Sequence, residues 1–261
     1  LPTLFFALAI PVFLIAPLAA SAATSGIDAQ SPTLLEFYPY LTVLATDNQR
    51  ILLDFTPPEP EFEKAEVNGQ ICLTSKIAGL TGSADAGSPS LPAQGALIGI
   101  PLDARPSIRI HYVDREEFQL THKLCPTATT SLDLANISPE QVKTEYRWGE
   151  TYQQNTFFPA TPVGLTETGF LRSQRFAQIR LNPLQYLPTQ NILNFNKKIK
   201  VEILFNSTEM HQHTLRVTHP METSIEKNLS NILLNHDQAR NWRQVNTTLL
   251  PLAANQSNDQ P

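Results

Sequence analysis

The chain is short of the residues from which most active centres are built. Its 261 residues include two cysteines, two methionines, two tryptophans and ten glycines. No local motif sets a nucleophile beside a base, and no glycine-rich loop is present to cradle phosphate. Positive charge is scarce as well: 19 Lys and Arg stand against 24 Asp and Glu, a formal net charge of −5. Nucleic-acid binders carry a basic stripe, so this balance argues against that partner class. No cofactor is implied. What the chain has in quantity is proline, 21 in all, and proline punctuates strands and loops rather than long helices.

Between the prolines lie β-type runs. LTVLAT and ILLDF flank Asp47-Asn48-Gln49-Arg50, a hairpin-like turn. Asn68-Gly69, between the runs ending at Val67 and starting at Gln70, is the strongest short hairpin signal. Residues 96–100 form an apolar run closed by Pro101. SIRIHYV alternates, with Ile108, Ile110 and Tyr112 on one face and Arg109 and His111 on the other. A charged turn is expected at residues 114–117. Further on, Ile199, Val201, Ile203 and Phe205 alternate with polar residues, so one face of that strand should be buried. Residues 126–162 are irregular, and long loops in compact domains are often functional. Residues 223–243 place Ile225, Leu229, Ile232, Leu233 and His236 at helical spacing, with Glu222 and Glu226 early and Arg240 and Arg243 late, as a helix dipole favours.

The start and end differ from this middle. Leu1 to Ala20 is apolar and uncharged, and Ala20-Ser21-Ala22 reads as an A-x-A-like cleavage site. Prolines at 2, 11 and 17 favour a secretory signal over a spanning helix. The expected organisation is a signal peptide at 1–22, a linker at 23–40, a β-sandwich at 41–220, an amphipathic helix at 221–245 and a linker at 246–261 toward a further domain. A missing basic n-region and initiator Met read as a clipped start. The expectation is a secreted protein, exported through a bacterial cell envelope, with no stable membrane anchor after signal cleavage. Export leaves Cys72 and Cys125 free to pair, while the alternative is two separate buried thiols.

Candidate chemistry is sparse. His211-Gln212-His213 has a spacing that can hold a metal, but no cysteine lies close in sequence, and a solvated strand face is the plainer reading. No metal site and no catalytic residue are assigned. Glu116-Glu117 reads as an exposed turn, and Lys197, Lys198 and Lys200 as edge-strand protection. Tyr146, Trp148, Tyr152, Phe157 and Phe158 form either a sugar-stacking platform or a small satellite core. Three arginines in turn or loop context, Arg147, Arg172 and Arg175, are candidates for a substrate-like loop, with ordinary surface solvation as the alternative.

Residues 87–101, GSPSLPAQGALIGIP, together with GFLR-Q-R from Gly169 to Arg175, LNPLQYLP from Leu181 to Pro188, the strand ending at Phe205, and LLNHDQARNWR from Leu233 to Arg243, resemble the propeptide of gingipain-type cysteine peptidases, peptidase family C25. The resemblance covers roughly residues 41–243 and is weakest at 126–162. It implies an all-β, antiparallel, jelly-roll-like β-sandwich with a C-terminal α-helix. It implies an intramolecular chaperone and latency inhibitor whose partner is a downstream gingipain-like peptidase domain. The catalytic Cys and His of that family lie in the downstream domain, and nothing here matches them. The family's inhibitory loop presents a basic residue, for which Arg147, Arg172 and Arg175 are the candidates. A stand-alone carbohydrate-binding or adhesin-like module is the alternative.

Overall fold

The computed structural model describes residues 37–82, 85–131, 143–207 and 220–243. The expected signal segment, most of the first linker, His211, His213 and the tail beyond 243 lie outside the described residues. The described residues form twelve strands: β1 (Leu41–Thr46), β2 (Arg50–Phe55), β3 (Glu61–Val67), β4 (Gln70–Lys76), β5 (Gln94–Gly99), β6 (Ser107–Gln119), β7 (Thr129–Ser131), β8 (Lys143–Glu145), β9 (Val163–Leu171), β10 (Gln174–Leu181), β11 (Leu184–Leu187) and β12 (Ile192–Leu204). Every ladder among them is antiparallel.

The long strand β12 organises the fold. Its C-terminal half pairs with β2, and through it with β1. Its N-terminal half pairs with β11 on that same flank. Along the other flank β6 accompanies it throughout, from Ile192↔Gln119 to Leu204↔Ser107. A second sheet runs β5-β10-β9. Alternation then decides what is buried. Ile199, Val201 and Ile203 of β12, Ile51, Leu53 and Phe55 of β2, Ile98 of β5 and Ala177, Ile179 and Leu181 of β10 form one core between the sheets, all fully buried. A second core lies at the other end of β12, where Leu193 and Phe195 meet Leu184, Tyr186, Leu91, Leu124 and Tyr152.

Where β12 passes from one core to the other, a polar net replaces apolar packing. Asn196, fully buried, donates to Asn182 O at 2.9 Å. Arg115 Nε donates to Asn196 Oδ1, and its Nη2 to Gln185 Oε1, both at 3.0 Å. The ladder with β6 shifts register at this point, and the bonds satisfy the buried side-chain amides of Asn196 and Gln185 beside the bulge.

Two expectations are corrected. Residues 114–117 are not a turn: β6 runs straight through them, and Glu116 and Glu117 pair with Phe195 and Asn194. An edge strand has a solvated side, so charges do not interrupt it. Likewise, Lys197 and Lys198 belong to central β12, not to an edge. Their charges meet Glu116 at 3.6 Å and Asp54 at 3.0 Å.

The C-terminal helix α1 spans Pro220–Ile232. It stops earlier than the periodicity predicts because Leu233 to Asn235 pair with β5 instead: Leu234 N–H donates to Leu97 O at 3.0 Å. A short turn, His236–Ala239, and the 3₁₀ segment Arg240–Trp242 follow. They bring Trp242 edge-on to Phe205, ring centroids 5.4 Å apart. Among the described residues no helix is long and apolar enough to cross a membrane.

Candidate functional site

The second core closes against the β3–β4 hairpin. Its turn, Asn68-Gly69, has φ of 51° and 77°, both in the left-handed region that such turns require. Behind the turn, Cys72 of β4 is bonded to Cys125, with Cα atoms 5.0 Å apart. Val67, Ala65 and Trp148 pack around the pair. Strand β4 continues into a ladder of backbone bonds. Leu73 N–H donates to Lys123 O at 2.9 Å, and Cys125 N–H to Leu73 O at 2.8 Å. Ser90 N–H donates to Cys125 O and Gly87 N–H to Thr127 O, each at 2.9 Å.

The ladder ends on Gly149, whose N–H donates to Gly87 O at 2.8 Å. A Cβ on Gly149 would stand 2.9 Å from that same oxygen, so glycine is what lets the two backbones meet. On the far side, Trp148 meets Tyr152 edge to face, centroids 4.7 Å apart. Tyr152 Oη donates to Leu124 O at 2.8 Å. Burial, with a smaller contribution from Tyr186, raises the Tyr152 phenol well above its ordinary range, so it stays a donor.

Arg147 stands in this fixed segment, just after β8. Its side chain is 78% exposed and donates from Nη2 to Glu145 Oε2 at 2.9 Å. The backbone before it is held by Asn68, whose Nδ2 donates to Tyr146 O at 2.9 Å. The backbone after it is held by Gly149. An exposed basic side chain thus sits between two anchored points, outside any helix or strand.

The other two arginines are placed differently. Arg172 is exposed at the tip of the two-residue β9–β10 hairpin with φ of 56°. Its backbone at the tip is curled, not extended. Arg175 turns onto the sandwich: its Nη1 donates to the carbonyl oxygens of Pro101 and Leu102. It therefore fixes the turn after β5.

Elsewhere the charges are structural. Glu202 of β12 is 2% exposed beneath the side chains of Arg50, Arg109 and His111, at 2.6, 3.3 and 3.1 Å. The roofing side chains are themselves about half exposed, so solvent screens the cluster from above. The hydrogen bond from Arg50 is the main reason that the Glu202 carboxyl is held below its ordinary range. The aromatic segment is a satellite core where Trp148 and Tyr152 are concerned, since both pack inward, while Tyr146 is 38% exposed.

The Propeptide_C25 family profile matches residues 32–228. The chain belongs to this family. Lys-gingipain of Porphyromonas gingivalis is 27% identical to it over 198 residues, which is 74% of this chain and 11% of that protein. Lys-gingipain HG66 has the same identity and coverage. The chain therefore spans only about a tenth of the length of these relatives. Among solved structures, the complex of Porphyromonas gingivalis RgpB pro- and mature domains resembles it with a TM-score of 0.62 at 18% identity, covering 76% of this chain and 99% of that one, a likeness of fold. A structure bearing on the zymogenic latency of gingipain K from the same organism gives 0.53 at 25% identity, covering 64% and 92%. Both the family resemblance and the antiparallel β-rich fold expected from the sequence are borne out. The anchored segment around Arg147 is what sequence reading missed in this C25 propeptide. Asn68-Gly69 was legible as a turn, but nothing in the sequence says that its tip touches Tyr146.

Proposed function

We propose that this chain keeps a gingipain-like cysteine peptidase latent and assists its folding, with Arg147 as the residue presented to the active site. Membership of the C25 propeptide family supports the partner. The single observation that carries the choice of Arg147 is its setting: an exposed guanidinium on a segment anchored at Tyr146 and at Gly149. A segment ordered before binding loses little entropy on docking. Anchors on both sides also keep the peptide bond after Arg147 from relaxing into the geometry of attack, so the loop is bound without rapid cleavage. The β-sandwich is the rigid support. The apolar segment at 1–22 is read as an export signal, so the module acts outside the cytoplasm, and the peptidase lies downstream in the same precursor.

The test is titration of the purified domain against a C25-type peptidase that cleaves after arginine. Nanomolar inhibition is expected from the native domain. Arg147→Ala should weaken it about a hundredfold, as loss of a central anchor does, while Arg172→Ala leaves it unchanged. Absence of inhibition by the native domain overturns the latency role. Undiminished inhibition by Arg147→Ala overturns the choice of residue.

A further inference from the structure

The β3–β4 hairpin is a large outlay of structure for a peripheral element. It adds no strand to either sheet of the sandwich, yet it carries the disulfide and a turn whose side chain reaches across to residue 146. Its two connections lead to the two ends of one short segment. The Asn68 amide holds Tyr146 O. Cys72, through Cys125 and the ladder over Ser90, Ser88, Thr127 and Gly87, leads to Gly149. Arg147 is between them.

We propose that the β3–β4 hairpin is a clamp for the Arg147 segment, with Asn68 as its positioning residue and the Cys72–Cys125 bond fixing the hairpin to the opposite anchor. The inference rests on the reading of Arg147 as the presented residue. Asn68 suits both duties. Asparagine tolerates the left-handed backbone that the turn demands, and its side chain supplies an N–H2 donor where a glycine supplies none. The clamp closes a path from the hairpin tip, through Tyr146, Arg147 and Trp148, to Gly149 and back by way of the disulfide. Any excursion of the Arg147 backbone must break a bond at one end of that path.

The turn can be kept while the donor is removed, which separates positioning from folding. Asn68→Gly preserves the left-handed turn without the amide. Asn68→Asp preserves it with a side chain that only accepts, and so faces the Tyr146 carbonyl with no proton to share. Both variants should fold as the native domain does, with a melting temperature lower by no more than a few degrees. Both should be cleaved by trypsin after Arg147 about fivefold faster, the effect of losing one exposed hydrogen bond, with no change at Arg172. Their inhibition of the arginine-cleaving C25 peptidase should weaken by a similar factor. An unchanged rate of cleavage after Arg147 in both variants overturns the clamp. The tryptic rate does not involve the C25 peptidase, so it still decides the clamp if Arg147→Ala leaves inhibition intact and the reading of Arg147 fails.

Discussion

The side-chain amide of Asn235 pairs with both backbone polar groups of Gly99. Gly99 N–H donates to Asn235 Oδ1 at 2.8 Å, and Asn235 Nδ2 donates to Gly99 O at 2.9 Å, all buried. A side chain here does what a neighbouring strand would do, and covers the open edge of β5. The approach is close: a Cβ on Gly99 would lie 2.2 Å from the Ala239 Cβ. The segment after α1 is thereby fastened to the second sheet, and the polar groups of β5 that would otherwise be orphaned are satisfied.

Asn235→Ala should cost about 2–4 kcal/mol, because both Gly99 groups stay buried without a partner. Gly99→Ala should cost about 1–3 kcal/mol by pushing the Ala239 turn away from the sheet. Urea unfolding curves measure both. Midpoints equal to that of the native domain would mean that the segment is not docked on β5.

The bond between Cys72 and Cys125 closes a separation of 53 residues. Cross-linking a loop of that length should stabilise the domain by about 4 kcal/mol through the unfolded chain. Replacing both cysteines by alanine should therefore lower the urea midpoint substantially while the far-ultraviolet spectrum stays β-rich. Thiol titration of the denatured, unreduced protein should find no free thiol, and two free thiols would contradict the bond.

Two groups give stability a distinct dependence on pH. Burial depresses the His236 imidazole below its ordinary 6.5, and the nearby Arg240 charge adds to this against the opposing carboxylate of Asp237. Glu226 and Arg243 complete its surroundings, at 3.2 and 3.3 Å from Nε2. The unfolded chain takes up the proton first, so stability is full above 6.5 and is lost as pH falls from there through the depressed value. For Glu202 the folded carboxyl lies below its ordinary 4.5, so its contribution is present above that pH and is lost as acid protonates it. Urea midpoints measured from neutral to acidic pH should fall in two steps. His236→Gln should flatten the upper step. Glu202→Gln should flatten the lower one and, with partners that are half solvated, cost about 1 kcal/mol at neutral pH. A single step that neither variant changes would refute the assignment.

Some of this was legible in the chain because it is local. The alternation of Ile199, Val201, Ile203 and Phe205 predicts a half-buried strand, and all four are buried. Asn68-Gly69 predicts its hairpin, since two left-handed residues in succession suit few other pairs. Other features were misread for want of their neighbours. A charged run such as residues 114–117 breaks a strand only if both sides are covered, and sequence does not say which strand stands at an edge. The helical spacing through His236 is real, but pairing of Leu233 to Asn235 with β5 ends the helix at Ile232.

Read alone, the sequence determined composition, alternation and turn chemistry, and so a β-rich chain that carries the marks of a C25 propeptide. Those are properties of neighbours along the backbone, where spacing and steric preference act directly. The tertiary structure decided the rest: that Cys72 meets Cys125, that Asn235 stands in for a strand, and that Asn68 and Gly149 hold the two sides of Arg147. These contacts join residues far apart in the chain, and their partners are set by how the sheets and hairpin pack, which no local pattern encodes.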